Sequence, residues 1–360
     1  MKTKKILIIS NLYPSRKNPF YGSFVKNFVE DLIAYNGQEN TFYCVLRGRS
    51  YNTFIKLYRY FVFYIKIFYS LIFHNYDYIY VHLITHATLP IRLISYFKKL
   101  NLIFNIHGED LLVQSKLAAI FLEIAKPMLH QSKLIVVPSY YFKNKTLELL
   151  PLLDEKKIFV SASSGVKDIF YNLPSNKTLQ NNTIGYISRI DRGKGWDTLL
   201  KAIKILSEKK LNPYVKIIGG GAEVNEMQEM IAKLGLTNVE YIGPVEHKKL
   251  PKYYQQFKLF VFPTTLEESL GLVGLEAMAS GIPVIASKLG GIQDYLIDNV
   301  NGFYFEAGNE IDLSHKIECL LGKTNEEYLK MCKNAYQTSL TYKASNVNPQ
   351  LFDFIFQNIQ

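Results

Sequence analysis

The stretch Phe262–Gly291, FPTTLEESLGLVGLEAMASGIPVIASKLGG, decides the fold. It follows Leu259, Phe260 and Val261, and with them Phe262 completes a short apolar run that reads as a strand buried on both faces, ended by Pro263. A polar loop, Thr264 to Ser269, leads into a segment whose spacing predicts a helix over 270–279. Gly281-Ile282-Pro283 stops that helix before a second apolar strand, Val284-Ile285-Ala286. One strand, loop, helix and strand in this order is the unit of a parallel α/β sheet.

The same stretch carries the chemistry. Glu268 stands in the loop and Glu276 about two turns into the helix, so at ~1.5 Å rise per residue the two carboxylates can face one crevice roughly 10 Å apart. The amides of Gly271, Leu272 and Val273 open the helix, where donors and dipole both favour a phosphate. Two Glu near a helix start also complement its dipole without binding anything. Carboxylates for hydroxyls and amides for phosphate together suit a sugar joined to a nucleoside through a diphosphate.

The pattern ESLGLVGLEAMASGIPV resembles the donor-site motif of the family 4 retaining glycosyltransferases, which have the GT-B fold. The resemblance implies that Glu268 meets the donor sugar's hydroxyls and Glu276 the nucleotide ribose, with Glu267 a bystander. Three further stretches extend it. Strand 183–187 runs into Ser188-Arg189-Ile190-Asp191-Arg192-Gly193-Lys194-Gly195, a loop in which two cations five apart can converge on one anion, though loop cations are more often simply solvated. The resemblance implies that Arg189 and Lys194 grip the donor diphosphate. Strand 214–218 meets Gly219-Gly220-Gly221, where a ligand can approach the backbone, and strand 239–242 meets Gly243-Pro244-Val245, whose backbone, with Val245, is expected to edge a nucleobase. A dinucleotide site is the other reading of the glycine triplet, but GGGAEV lacks the G-x-G-x-x-G spacing.

Upstream, strand 102–106 ends in His107-Gly108-Glu109-Asp110, at the end of a buried strand where open α/β sheets hold ligands. A lone His is commonly structural. HG-x-D resembles the acceptor-domain motif of the same family, which implies that His107 faces the donor sugar, with Asp110 a helix N-cap or a contact to a substrate hydroxyl. His82 and His86, after strand 78–81, match nothing firm. Strand 5–10 feeds a loop to Gly22 and a helix from Ser23 with Phe24, Phe28, Leu32 and Tyr35 at helical spacing, a cradle in which Gly22 is a candidate cleft residue.

The expected architecture is therefore α/β: two Rossmann-like parallel-sheet domains facing a central cleft. Residues 1–166 form an acceptor-binding domain, 167–182 a linker rich in Asn, Pro and Ser, and 183–344 a nucleotide-sugar-binding domain, with the 345–360 helix returning to the first. The implied reaction is transfer of a hexose-type sugar, with retention, from a nucleotide diphosphate sugar (a UDP-sugar) to a lipid-diphosphate-linked saccharide in surface polysaccharide assembly. No cofactor or metal is expected, because Arg189, Lys194 and helix amides supply the positive potential. A nucleotide-sugar epimerase of the same fold and a non-catalytic nucleotide-sugar-binding subunit are the alternatives.

Composition narrows the setting. Three cysteines, Cys44, Cys319 and Cys332, show no metal-ligand spacing and fit a reducing cytoplasm, and the apolar run 6–9 is too short for a signal segment. The formal charge of +11 is uneven: residues 1–165 hold 21 Lys and Arg against 10 Asp and Glu, whereas residues 166–360 hold 21 of each. A solvated surface or an anionic partner explains such an excess, and with no nucleic-acid module in the sequence an anionic membrane is the favoured partner. On a helical wheel of residues 51–74, Asn52, Lys56, Arg59, Lys66 and Ser70 share an arc of roughly 80° and the rest is almost wholly apolar, which implies deep burial of the remainder. The choice is a core helix or one lying in a lipid interface, with the protein peripheral on the inner face of the cytoplasmic membrane.

Overall fold

The computed structural model describes residues 3–18, 21–50, 52–108, 110–112, 115–171 and 182–359. The chain divides into two compact units, Met1–Ser164 with Asn346–Gln360, and Gly165–Ser345.

The first unit alternates strand and helix: β1 (Ile6–Tyr13), α1 (Ser23–Asn36), β2 (Thr41–Arg47), α2 (Thr53–Phe73), β3 (Tyr78–His82), α3 (Ile84–Ser95), β4 (Leu102–Asn105), α4 (Lys116–Gln131), β5 (Leu134–Val137), α5 (Tyr140–Leu149) and β6 (Ile158–Val160). All six strands pair in parallel in the order β2-β1-β3-β4-β5-β6. Because successive side chains leave opposite faces of a strand, the run Ile6-Leu7-Ile8-Ile9 serves two cores. Ile6 and Ile8 pack with Val25, Phe28 and Leu32 of α1, while Leu7 and Ile9 pack with Phe63, Ile67 and Leu71 of α2. Leu351, Phe352 and Ile355 of the last helix join the α1 side of this sheet.

Two features of this unit depart from expectation. Strand β2, which no local pattern announces, is an edge strand that leaves Phe42 and Tyr43 exposed. Helix α2 forms as the periodicity requires, yet only Phe63, Ile67 and Leu71 are buried. Phe54, Tyr58, Phe61, Ile65, Tyr69 and Ile72, spaced by three or four residues along the opposite face, are all at least half exposed, Phe54 reaching 83%. The expected deep burial does not occur, because α2 meets the sheet on one side and the described residues cover nothing of the other. Among the described residues no helix is long and apolar enough to cross a membrane.

The second unit comprises β7 (Thr183–Ile187), α6 (Trp196–Glu208), β8 (Tyr214–Ile218), α7 (Val224–Leu234), β9 (Val239–Gly243), α8 (Pro251–Tyr254), β10 (Leu259–Phe262), α9 (Leu272–Ala279), β11 (Val284–Ser287), β12 (Gly302–Phe305), α10 (Glu310–Leu321) and α11 (Asn325–Leu340), and α12 (Ala344–Gln357) then leads the chain out of it. Its parallel sheet runs β12-β11-β10-β7-β8-β9. The stretch read as a linker behaves in two ways. Lys167–Tyr171 belongs to this unit, with Phe170 buried against the rings of His247 and Tyr254, and 172–181 lies outside the described residues. Helix α9 starts at Leu272, two residues later than the apolar spacing suggests, because Gly271 takes a left-handed conformation at φ 80°.

Candidate functional site

The order of the second sheet explains why residues far apart in sequence meet. The chain builds β7, β8 and β9 outward in one direction, then returns to place β10 on the other side of β7. Helices leaving β7 and β10 thus diverge, and the loops beyond their carboxyl ends flank the switch point where open α/β sheets bind ligands. The loop after β7 carries Arg189 and Lys194; the loop after β10 carries Glu268.

Backbone contacts lock these loops together. Thr265 N–H donates to the Gly193 carbonyl at 2.8 Å, and Gly195, at φ 74°, lies so close to Pro263 that an added Cβ would stand 1.8 Å from its carbonyl oxygen. Lys194 Nζ consequently donates to Glu268 Oε1 at 2.7 Å, and the Thr264 hydroxyl donates to the same oxygen at 3.0 Å. The two ionic side chains are only 12% and 17% exposed, so their pairing is less screened than at an open surface. Glu268 is held from behind as well, its carbonyl accepting from Gly291 N–H at 2.8 Å.

Glu276 lies in the middle of α9 and is buried. His247 Nε2 contacts its Oε1 at 2.7 Å and the Tyr254 hydroxyl donates to its Oε2 at 3.1 Å. Burial first, then the Glu276 charge, pushes the Tyr254 phenol well above its usual range, which keeps it a donor. A carboxylate has about four lone-pair sites, so two of Glu276's remain for a ligand's hydroxyls. No side chain caps α9, and the Gly271 carbonyl accepts from Tyr295 at 3.1 Å. Gly274 has no room for a side chain: a Cβ there would stand 2.4 Å from the Tyr295 oxygen.

The remaining expected donor residues sit at neighbouring strand ends. Gly219 follows β8 at φ 144°, and a Cβ there would meet the Ser188 carbonyl oxygen at 1.8 Å, so the glycine loop and the Arg189 loop run in contact. Gly220 and Val245, like Gly271, Leu272 and Val273, are half-buried. Arg189 departs from the expected convergence with Lys194: its guanidinium pairs with Asp191 at 3.1 Å and its side chain is 62% exposed. Among the described residues no ion pair holds it toward Lys194.

In the first unit, β3 and β4 end side by side and bring His82 and His107 together, with Nδ1 of the former 3.0 Å from Nε2 of the latter. The rings stack and Phe24 packs on His107 at 4.7 Å. Burial drives His82 well below the usual imidazole range and takes His107 down to about 4, so both are neutral at pH 7. Asp110 is not a helix N-cap, since Ser115 caps α4; its carboxylate accepts from the His107 N–H at 3.0 Å and shapes the turn. Glu109 lies outside the described residues. Gly22 caps α1 in a left-handed conformation, where a Cβ would stand 2.5 Å from the Leu12 carbonyl carbon.

Sequence reasoning did not reach His247, Tyr254 or Thr264. His247 and Tyr254 come from a turn and a one-turn helix without periodicity, and no spacing links them to Glu276.

Residues 172–338 match the family model described as glycosyl transferases group 1. The capsular polysaccharide biosynthesis glycosyltransferase CapM of Staphylococcus aureus is 31% identical over 191 residues, covering 50% of this chain and 49% of that protein. A 41.2 kDa protein of the Klebsiella pneumoniae cps region, itself uncharacterized, is 26% identical over 258 residues, 67% of this chain and 69% of that one. The alignment with CapM thus spans about half of that relative's length. Among solved structures, HepE of Anabaena in complex with UDP superposes with a TM-score of 0.78 at 20% identity, covering 98% of this chain and 99% of that one. The sucrose-phosphate synthase of Thermosynechococcus elongatus gives the same score at 18% identity and 98% coverage of both chains. With two parallel six-stranded sheets of this topology the chain has the GT-B fold, and its residues 172–338 match the group 1 glycosyl transferases.

Proposed function

We propose that this protein is a retaining glycosyltransferase that moves a hexose-type sugar from a UDP-sugar to a saccharide carried on a lipid diphosphate, in surface polysaccharide assembly. The observation that carries this reading is the Lys194–Glu268 pair beside the uncapped start of α9, with Glu276 held nearby on the same helix by His247 and Tyr254. Glu276 supplies free lone pairs for ribose hydroxyls. The diphosphate then falls to the first amides of α9 and to Lys194, with Arg189 leaving Asp191 to join them, and Glu268 takes the sugar hydroxyls. As the bond from the anomeric carbon to the diphosphate breaks, charge grows on the leaving oxygen, where fixed cations and amides stabilise it. The acceptor oxygen bonds to the same face of the anomeric carbon and passes its proton to the leaving phosphate. We assign acceptor binding to the first unit, with His107 as its neutral donor or acceptor group.

The polysaccharide setting is supported by the likeness to CapM and to the cps-region protein, and the uridine nucleotide by the UDP bound in HepE. Attachment to an acidic bilayer is supported by the exposed apolar stripe of α2 and by the charge around it: between residues 41 and 108 the chain has eight Lys and Arg and one carboxylate, Asp77.

The test is incubation with a panel of nucleotide sugars, followed for free nucleoside diphosphate. Slow release from a UDP-hexose, insensitive to added magnesium and to chelator, is expected. An altered sugar without release would mark an epimerase, silence across the panel would leave a binding subunit, and release abolished by chelator would count against catalysis by Lys194 and amides alone.

A further inference from the structure

The first unit contains a polar cavity, of about 360 Å³, that the donor chemistry does not use. It lies where β1 and β2 end and α2 begins. Lys56, Arg59 and Tyr60 reach it from one face of the first two turns of α2, at positions i, i+3 and i+4. Arg49 enters from the loop before α2, Asn11 from β1 and His86 from α3. Among the described residues three cations line the cavity and no carboxylate does. One Arg59 nitrogen is committed to the carbonyls of Arg47 and Gly48, which fixes the guanidinium at the wall and leaves its other N–H groups for a ligand.

A second, independent observation points to a ligand. Asn11 is 4% exposed, and its Nδ2 donates to the Tyr60 hydroxyl at 3.2 Å, yet its Oδ1 is buried with no hydrogen-bond partner among the described residues. A buried amide oxygen left unpaired costs free energy that a donor from a bound molecule would recover. The site therefore asks for an anion and for a hydroxyl or amide donor on one molecule.

We propose that this cavity binds the phosphate-bearing end of the acceptor, with Arg49, Lys56 and Arg59 on the phosphate or diphosphate oxygens and Asn11 Oδ1 accepting from a saccharide hydroxyl. The inference rests on the transferase reading above and adds to it the residues of the first unit that would hold the acceptor's phosphate. Charge-assisted hydrogen bonds to phosphate are the strong class, and guanidinium groups match its geometry.

Calorimetric titration of the full chain with inorganic pyrophosphate and with farnesyl diphosphate tests it, in a Lys194→Gln background that disables the donor diphosphate grip. Saturable binding is expected there, weakened about tenfold or more by Arg49→Ala with Lys56→Ala, both exposed positions, and also by Asn11→Asp, which sets a carboxylate among the cations that meet the phosphate. Farnesyl diphosphate binding more tightly than pyrophosphate assigns a lipid-borne phosphate, and equal binding a water-soluble sugar phosphate. Pyrophosphate binding that survives the Arg49 and Lys56 substitutions but vanishes in the Lys194→Gln background overturns the proposal. Nucleoside diphosphate release by the unaltered chain reads the transferase separately, so either reading can fail without the other.

Discussion

At the scale of single residues, the Lys194–Glu268 pair is both a loop clamp and, in the proposed reaction, the charge that meets the donor. Glu268→Gln keeps the shape and the Thr264 contact but removes the counter-charge, and Lys194→Ala removes leaving-group stabilisation. Each is expected to lower turnover by ~10²-fold or more, as loss of a preorganised charge-stabilising group does. Rates near the unaltered level in either, measured by nucleoside diphosphate release, would remove that residue from the chemistry. His82 and His107 make a different claim. Both are held below the ordinary imidazole value of 6.5, His107 at about 4, so the unfolded chain takes up protons first as pH falls. Their contribution to stability is complete above that ordinary value and is lost as pH drops from it toward the folded values. Denaturation midpoints measured across this window are expected to fall for the unaltered chain and to fall less for His107→Gln; parallel curves would show that the pair does not titrate as a buried unit.

At the scale of elements, the start of α9 depends on one glycine. Gly271 has φ 80° and an added Cβ would stand 2.6 Å from the Phe262 ring, so Gly271→Ala combines a strained conformation with a clash against the strand it follows. A loss of about 1–3 kcal/mol and of donor turnover is expected. Gly235, which ends α7 at φ 66° with nothing within 4 Å of its would-be Cβ, is the control: Gly235→Ala carries the conformational cost alone, about 1 kcal/mol, and leaves turnover intact. Equal melting shifts in the two would mean that contact with Phe262 contributes nothing. The legibility of elements follows the same local logic. Strands such as β7, β8 and β10 show in the sequence because apolar runs between turn residues have few other uses. Strand β2 does not show, since an edge strand with exposed Phe42 and Tyr43 lacks the burial pattern that marks the others. Helix α2 is legible as a helix but not as a half-covered one, because the wheel records which residues are apolar and not what lies against them. Lys194 and Glu268 could each be read as loop residues after a strand; that they touch follows from β10 returning beside β7, a long-range choice no local spacing encodes. His247 and Tyr254 are hidden for the same reason, each being placed by the sheet order rather than by its neighbours in sequence.

At the scale of the whole molecule, the charge is partitioned as the chemistry is. All of the +11 excess falls within residues 1–165, the part of the chain that also bears the exposed stripe of α2 and, beyond α3, Phe97 at 90% exposure. Apolar side chains in water and cations without counter-charges are each unfavourable alone, and a bilayer with acidic headgroups relieves both. The two contributions separate experimentally. Cations near an acidic surface are worth about 1 kcal/mol each and are screened once the Debye length falls from about 10 Å at 0.1 M salt toward 3 Å at 1 M, whereas apolar insertion is not weakened by salt. Co-sedimentation with phosphatidylglycerol vesicles is therefore expected to exceed that with phosphatidylcholine vesicles at low salt and to decline as salt rises. Phe54→Ser, Phe61→Ser and Ile65→Ser together are expected to weaken binding about tenfold or more at every salt concentration, since these side chains contribute only when inserted. Their packing role is small, all three being on the exposed face, so the melting temperature should hardly move. Equal binding to neutral and acidic vesicles would remove the electrostatic half of the argument, and unchanged binding by the serine variant would show that α2 does not enter the lipid.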